Sequence, residues 1–264
     1  VNTSDGWSVR GRLILITGGA RSGKSTYAER LAARLAEPCG GRVTYIATSQ
    51  AYDEEMEQRV RAHQVSRPET WTTLEVPLEV AAAVRAAAAA RTGGQRAGVA
   101  PVVLLDCVTL WVTNLLFSGG AFGGSEPPEG YNYDKNLLPP AEERAAAARV
   151  TAAVDGLVAA VAETGITLVA VTNEVGLGVV PEYPLARLYR DQLGWANQRL
   201  ARDAESVCLL ISGYALDVKA LAGAGDHVAR SAPTSSPDIA PEPPAGAAPT
   251  SAADDLQPPV KETQ

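Results

Sequence analysis

The sequence is poor in cysteine, in histidine and in concentrated positive charge. Three cysteines, Cys39, Cys107 and Cys208, are scattered over 264 residues, with no C-x-x-C pair among them. An odd count, two of them in or beside strand-like runs, argues against a disulfide framework and reads as reduced thiols of a cytoplasmic protein. The net charge is −7, and no lysine- and arginine-rich block occurs. A nucleic-acid groove needs a positive stripe, so nucleic acid is not an expected partner. No unbroken apolar run approaches the length of a membrane span, and membrane insertion is not expected. Residues 1–11 are polar, lack the apolar centre of a secretory signal, and read as a loose leader. The guanine-reading N-K-x-D motif of signalling GTPases is absent, as are the H-R-D and D-F-G motifs of protein kinases.

What is present is concentrated near the start. Leu13-Ile14-Leu15-Ile16 reads as a short buried strand closed by Thr17. Gly18, Gly19, Ala20, Arg21, Ser22, Gly23, Lys24 and Ser25 then fit G-x-x-x-x-G-K-[ST] without a gap. A helical pattern follows at once, with Tyr27, Leu31 and Leu35 on one face. Glycines at 18 and 23 let backbone approach a ligand where a Cβ would clash. Loop amides and the helix N-terminus then face a phosphate chain. Lys24 supplies a point charge to the β- and γ-phosphates, and Ser25 can hold Mg²⁺. A plain glycine turn would not need the strand before it and the helix after it, so nucleoside-triphosphate binding is expected.

Strands and helices alternate beyond this point. Arg42 to Thr48 is a β-branched and aromatic strand, and Thr48, Ser49 and Gln50 stand at its C-terminal end, where ligands of open α/β sheets gather. Asp53 to about Gln64 reads as a helix with acids in its first turn. Met56, Val60 and His63 share one of its faces. Leu78 to Arg91 is helical, and Pro101 to Asp106 is a strand ending in an acid. That Asp106 matches the Walker B pattern of a magnesium-holding carboxylate, although strands often end in this way without one. Helices are expected over Thr109–Phe117, Ala141–Glu163 and Pro184 to about Ala204, and strands over Ile166–Thr172 and Val207–Ser212. Asn173 to Gly178 is a polar, glycine-rich turn at the same edge. Arginines 187, 190 and 199 either reach phosphates or solvate a helix face. The glycine- and proline-rich stretch 118–140, carrying Tyr131 and Tyr133, is either a substrate cover or an insertion. Eight of the 18 prolines lie beyond Gly223 and no aromatic follows Tyr214, so residues 221–264 are expected to be a disordered tail. The expected organisation is a leader over 1–11, one α/β P-loop domain with a mostly parallel sheet over 12–220, and that tail.

A Walker A loop, an acid and several arginines suit a small-molecule kinase. Only one other histidine, His227 in the tail, exists besides His63. A neutral imidazole is a good nucleophile toward phosphorus, yet a histidine on a half-apolar helix face is also a common structural residue. A nucleotide-binding module without catalysis is the reading from a different class.

GGARSGKS, VTYIATSQ, DEEMEQRVRAHQVSRPETWTTLE, LLDCVTLWVTNLLF, VTNEVGLGVVPE and LARLYRDQLGWANQRLA occur in this order. In this they resemble the bifunctional adenosylcobinamide kinase/adenosylcobinamide-phosphate guanylyltransferase family over roughly residues 12–218. The resemblance implies a RecA-like P-loop fold and a homo-oligomer, often a trimer. It implies phosphorylation of adenosylcobinamide with ATP or GTP, followed by transfer of GMP from GTP through a guanylyl-histidine to adenosylcobinamide phosphate. The motif histidine falls on His63; Ala62 stands where many relatives carry a second one. Implied nucleotide contacts are Gly18 to Ser25, Thr48, Ser49, Gln50, Gln64, Val65, Ser66, Arg67, Glu75 and Asp106, with Ser25 and Asp106 toward Mg²⁺ and Lys24 and His63 catalytic. The alternative enzyme is a kinase without guanylyl transfer.

Overall fold

The computed structural model describes residues 11–49, 68–90, 100–119 and 138–222. The expected helix at 53–64, most of the 118–140 stretch and nearly all of the tail lie outside them. The described chain runs β1 (Arg12–Gly18), α1 (Lys24–Ala36), β2 (Val43–Ala47), β3 (Thr72–Glu75), α2 (Val80–Ala89), β4 (Val102–Asp106), α3 (Val108–Phe117) and α4 (Pro140–Thr164). It continues through β5 (Thr167–Val171), α5 (Pro184–Asp203), β6 (Ser206–Ile211), β7 (Tyr214–Asp217) and the short α6 (Val218–Leu221).

The seven strands form one sheet in the order β3-β2-β4-β5-β1-β6-β7, parallel except for β7, which pairs antiparallel with β6. The fold is α/β, as expected. One strand, β5, separates the phosphate-loop strand β1 from β4, the strand that ends at Asp106.

Side chains alternate across the sheet, so each central strand feeds two cores. Leu13, Leu15, Val103, Leu105, Leu168 and Ala170 face one side, packed with apolar residues of α2 to α5. Ile14, Ile16, Val102, Leu104, Val169 and Val171 face the other, packed against α1. Helix α1 lies close because its buried positions are the small Ala28, Ala32 and Ala36. The expected face of Tyr27, Leu31 and Leu35 is only partly buried and flanks that alanine stripe.

Helix α4 is long and apolar enough to cross a membrane by length and composition alone. That refines the expectation from unbroken runs, which charged residues such as Arg149 and Asp155 had interrupted. Here Val150, Val154, Leu157, Ala160 and Val161 of this helix are buried in the core shared with α2, α3 and α5.

Two strands were not foreseen. Strand β3 has only four residues and a half-exposed pattern, so neither alternation nor a buried run marks it. Strand β7 follows a two-residue turn, Ser212-Gly213, with φ of 51° and 87° at the two positions. Paired positive φ values give the hairpin twist that such short connections need. Gly213 therefore turns the chain back rather than simply ending a strand.

Candidate active site

All strands but β7 run the same way, so their C-terminal ends share one edge. There β1 delivers the phosphate loop, β2 delivers Thr48 and Ser49, β3 ends at Glu75, β4 at Asp106, and β5 leads into Thr172, Asn173 and Glu174.

The loop geometry explains its glycines. Gly18 has φ +154°, and a Cβ there would stand 2.5 Å from the carbonyl oxygen of Leu210 and 2.9 Å from Ser22 Oγ. Gly23 caps α1 at φ 92°, in the left-handed region, with no side chain capping the helix and no acid in its first turn. The first-turn amides are thereby left for an anion. Ser22 Oγ is buried without a hydrogen-bond partner among the described residues. Arg21 is exposed at the loop tip with φ 56°.

Lys24 Nζ donates to the Gly19 carbonyl at 2.9 Å. Burial lowers its pKa from 10.5, while Cys107 and Asp106 act to raise it. Burial itself, aided by the Asp106 charge, pushes the Cys107 thiol up to about 11. At neutral pH that thiol is uncharged, so Asp106 is the charge that favours the ammonium.

Asp106 is fixed by its neighbours. Tyr45 donates its hydroxyl to Asp106 Oδ2 at 3.0 Å. Thr48 is fully buried: its hydroxyl donates to the Cys107 carbonyl at 2.7 Å and accepts from the Cys107 amide at 2.9 Å. Asn114 of α3 donates to the carbonyls of Thr48 and Pro77. Thr48 thus locks the end of β2 onto the end of β4, and Ser49 follows at the edge.

A second polar group stands behind the loop. Glu174 donates its amide to the Gly18 carbonyl at 3.2 Å, and its Oε1 accepts from Thr17 Oγ1 at 2.6 Å. Asn197, buried on α5, donates to the Asn173 carbonyl at 2.9 Å and to Glu174 Oε1 at 3.3 Å. Its own oxygen accepts from Thr172 Oγ1 at 2.7 Å.

Glu75 stands apart from this group. It is exposed, and β3 is four strand positions from β1. At ~4.8 Å per strand that is about 19 Å, so Glu75 belongs with Thr48 and Ser49 rather than with the phosphate loop. Gln50, His63, Gln64, Val65, Ser66 and Arg67 lie outside the described residues. The arginines of α5 are engaged elsewhere: Arg187 with the carbonyls of Pro181 and Glu182, Arg190 with Asp191, and Arg199 with Asp155 and Asp203. Sequence reasoning did not find Tyr45, Glu174 or Gly213. For Glu174 a signal existed, since the polar turn after the fourth expected strand had been marked as ligand-facing.

The family model described as cobinamide kinase / cobinamide phosphate guanyltransferase matches residues 14–218. That range contains every strand-end residue described above. The chain belongs to the cobinamide kinase / cobinamide phosphate guanyltransferase family. Among relatives, the bifunctional adenosylcobalamin biosynthesis protein CobU of Escherichia coli is 41% identical over 209 residues, 78% of this chain and 99% of the relative. The protein of the same name from Salmonella typhimurium matches at 41% identity over the same shares. Bifunctional adenosylcobalamin biosynthesis protein CobP of Pseudomonas aeruginosa is 38% identical, over 78% of this chain and 96% of its own length. Membership accounts for the P-loop fold and for the phosphate loop at a strand end. The phosphate loop with Lys24 and the strand end with Asp106 stand on this one edge of the sheet.

Proposed function

We propose that this protein acts in adenosylcobalamin synthesis as a kinase for adenosylcobinamide and a guanylyltransferase for adenosylcobinamide phosphate. The family match over residues 14–218 carries this reading. It is supported by the loop of Gly18 and Gly23, whose backbone conformations suit a bound triphosphate, and by the Lys24 ammonium held against the Gly19 carbonyl of that loop.

In the kinase step, loop amides and Lys24 would hold the phosphates of ATP or GTP and offset the charge that develops on them. Ser25 and Asp106 suit Mg²⁺, since both offer hard oxygens on one edge. Asp106 is already oriented by Tyr45. Among the described residues no cluster of three or more His, Cys, Asp or Glu could hold a metal alone. When bound, Mg²⁺ supplies charge neutralisation on the phosphate chain.

In the transferase step, His63 would attack the α-phosphorus of GTP as a neutral base. Ser49, Gln50, Gln64, Val65, Ser66, Arg67 and Glu75 would contact that nucleotide, whereas Thr48, implied as a contact by the resemblance, is fully buried and bonded to Cys107 and so would fix the strand end behind them. The separation of Glu75 from the phosphate loop favours a second nucleotide position toward β2 and β3. Residues 12–220 would form the catalytic unit, in a cytoplasmic homo-oligomer of trimeric type. Exposed apolar side chains such as Leu177, Val179 and Tyr214 suit such assembly, and light scattering on the purified chain tests it.

The deciding experiment uses GTP labelled at the α-phosphate, with Mg²⁺ and no corrinoid. Acid-labile, alkali-stable label on the protein, absent in His63→Ala, supports guanylyl transfer. A kinase that phosphorylates cobinamide yet takes up no label would be a kinase alone.

A further inference from the structure

Phosphorylating an alcohol requires that its proton leave, and a carboxylate beside the γ-phosphate serves best. Three carboxylates lie at or just beyond strand ends on the described edge. Glu75 is four strand positions from the phosphate loop. Asp106 is two positions away, shares Oδ2 with Tyr45, and acts on the Lys24 charge. Glu174 follows β5, the direct neighbour of β1.

Its placement is close. The Glu174 backbone amide is bonded to the Gly18 carbonyl, the residue before the Gly19 carbonyl that holds the Lys24 ammonium, so the backbone carrying this carboxylate is tied to the start of the loop. The side chain is held through one oxygen only. Oε1 accepts from Thr17 and from Asn197, and Asn197 is itself fixed by Thr172 and the Asn173 carbonyl. The described residues supply no hydrogen bond to Oε2. A carboxylate anchored by one oxygen and open at the other is preorganised to accept from a ligand.

We infer that Glu174 is the general base of the kinase step, which rests on the kinase reading above. The acceptor hydroxyl oxygen forms a bond to the γ-phosphorus. The bond from that phosphorus to the β,γ-bridging oxygen breaks, and the nucleoside diphosphate leaves with the electron pair. The hydroxyl proton passes to Glu174 Oε2 and from there to water. Thr17 and Asn197 are positioning residues that aim the carboxylate.

The test measures two reactions on the full-length chain: phosphate transfer from ATP to cobinamide, and label uptake from GTP labelled at the α-phosphate. Glu174→Gln is expected to lower kinase kcat about 100- to 10,000-fold. Its KM for ATP should stay within about threefold, and label uptake should continue. Glu174→Asp, which keeps a carboxylate, should recover at least about tenfold over Glu174→Gln. Kinase kcat of Glu174→Gln within about tenfold of wild type overturns the inference and leaves the kinase reading intact. Parallel loss of both reactions in both variants, with a lowered melting temperature, assigns Glu174 to structure and also overturns it. A wild-type chain that does not phosphorylate cobinamide overturns the kinase reading and the inference with it.

Discussion

The backbone amide of Gly213 donates to the carbonyl of Ser22 at 2.9 Å. The tip of the β6–β7 hairpin therefore braces the phosphate loop from outside. Gly213 has φ +87°, and a Cβ there would meet nothing within 4 Å, so a substitution is penalised by backbone conformation alone. Gly213→Val should cost about 1–2 kcal/mol, lowering the melting temperature by roughly 2–8 °C. It should also weaken ATP binding several-fold, by about 1 kcal/mol, in a calorimetric titration. Unchanged ATP affinity would show that the brace does not shape the loop.

Gly18→Ala should be far more severe. Its Cβ would fall 2.5 Å from a backbone oxygen of β6, which cannot move without unpairing β1 from β6. Loss of about 1–3 kcal/mol in denaturant melts, with ATP and GTP binding lost together, is the expected result.

Lys24 has a pH signature. Burial lowers its folded pKa below the unfolded 10.5. Between those two values the unfolded chain holds more protons, so this group's contribution to stability rises with pH through the window. A bound triphosphate favours the ammonium and reverses the shift, so binding takes up a proton there. ATP affinity should fall by up to about tenfold per pH unit as pH rises through that window. Lys24→Met should bind weakly at every pH and lose the slope. Calorimetry in buffers of differing ionisation enthalpy counts the proton directly.

Tyr45→Phe removes the hydroxyl that orients Asp106 while sparing the buried ring. The Mg²⁺ concentration giving half-maximal kinase rate should rise, by about 10- to 100-fold if Asp106 ligates the ion directly. An unchanged requirement would remove Asp106 from the magnesium site.

Asn197→Leu leaves the buried hydroxyl of Thr172 and the Asn173 carbonyl without their partner. A destabilisation of about 1–3 kcal/mol follows, read as a fall in melting temperature of roughly 2–12 °C. If Glu174 acts as inferred, kinase kcat falls further than label uptake from GTP.

The phosphate loop and the Asp106 strand were legible because each carries a local pattern: a fixed motif spacing, or a continuous apolar run. Asn197 was visible only as one polar residue in a helix rich in charge. Its burial depends on the Thr172–Asn173 turn after β5 meeting α5, which no spacing within the helix encodes. Tyr45 read as ordinary strand content, since its partner Asp106 is 61 residues away and meets it only across β2 and β4. Strand β3 escaped because Thr-Thr-Leu-Glu has no pattern of its own and is held by β2 on a single side. The hairpin at Gly213 was not legible, because one glycine cannot show whether the chain beyond it returns.

The sheet order also sets a timetable. Strand β1 is made first, yet its two partners are β5 and β6, among the last strands of the chain. At about 5–20 residues per second, roughly 7–30 s of synthesis separate the phosphate loop from β5 and roughly 10–40 s separate it from the β6–β7 hairpin. Until β5 is made β1 has neither of its sheet neighbours, and its closure depends on contacts distant in sequence, the slow kind. A nucleotide therefore cannot seed folding from the phosphate loop alone; it finds its cradle only after β5 and the β6–β7 hairpin have been made.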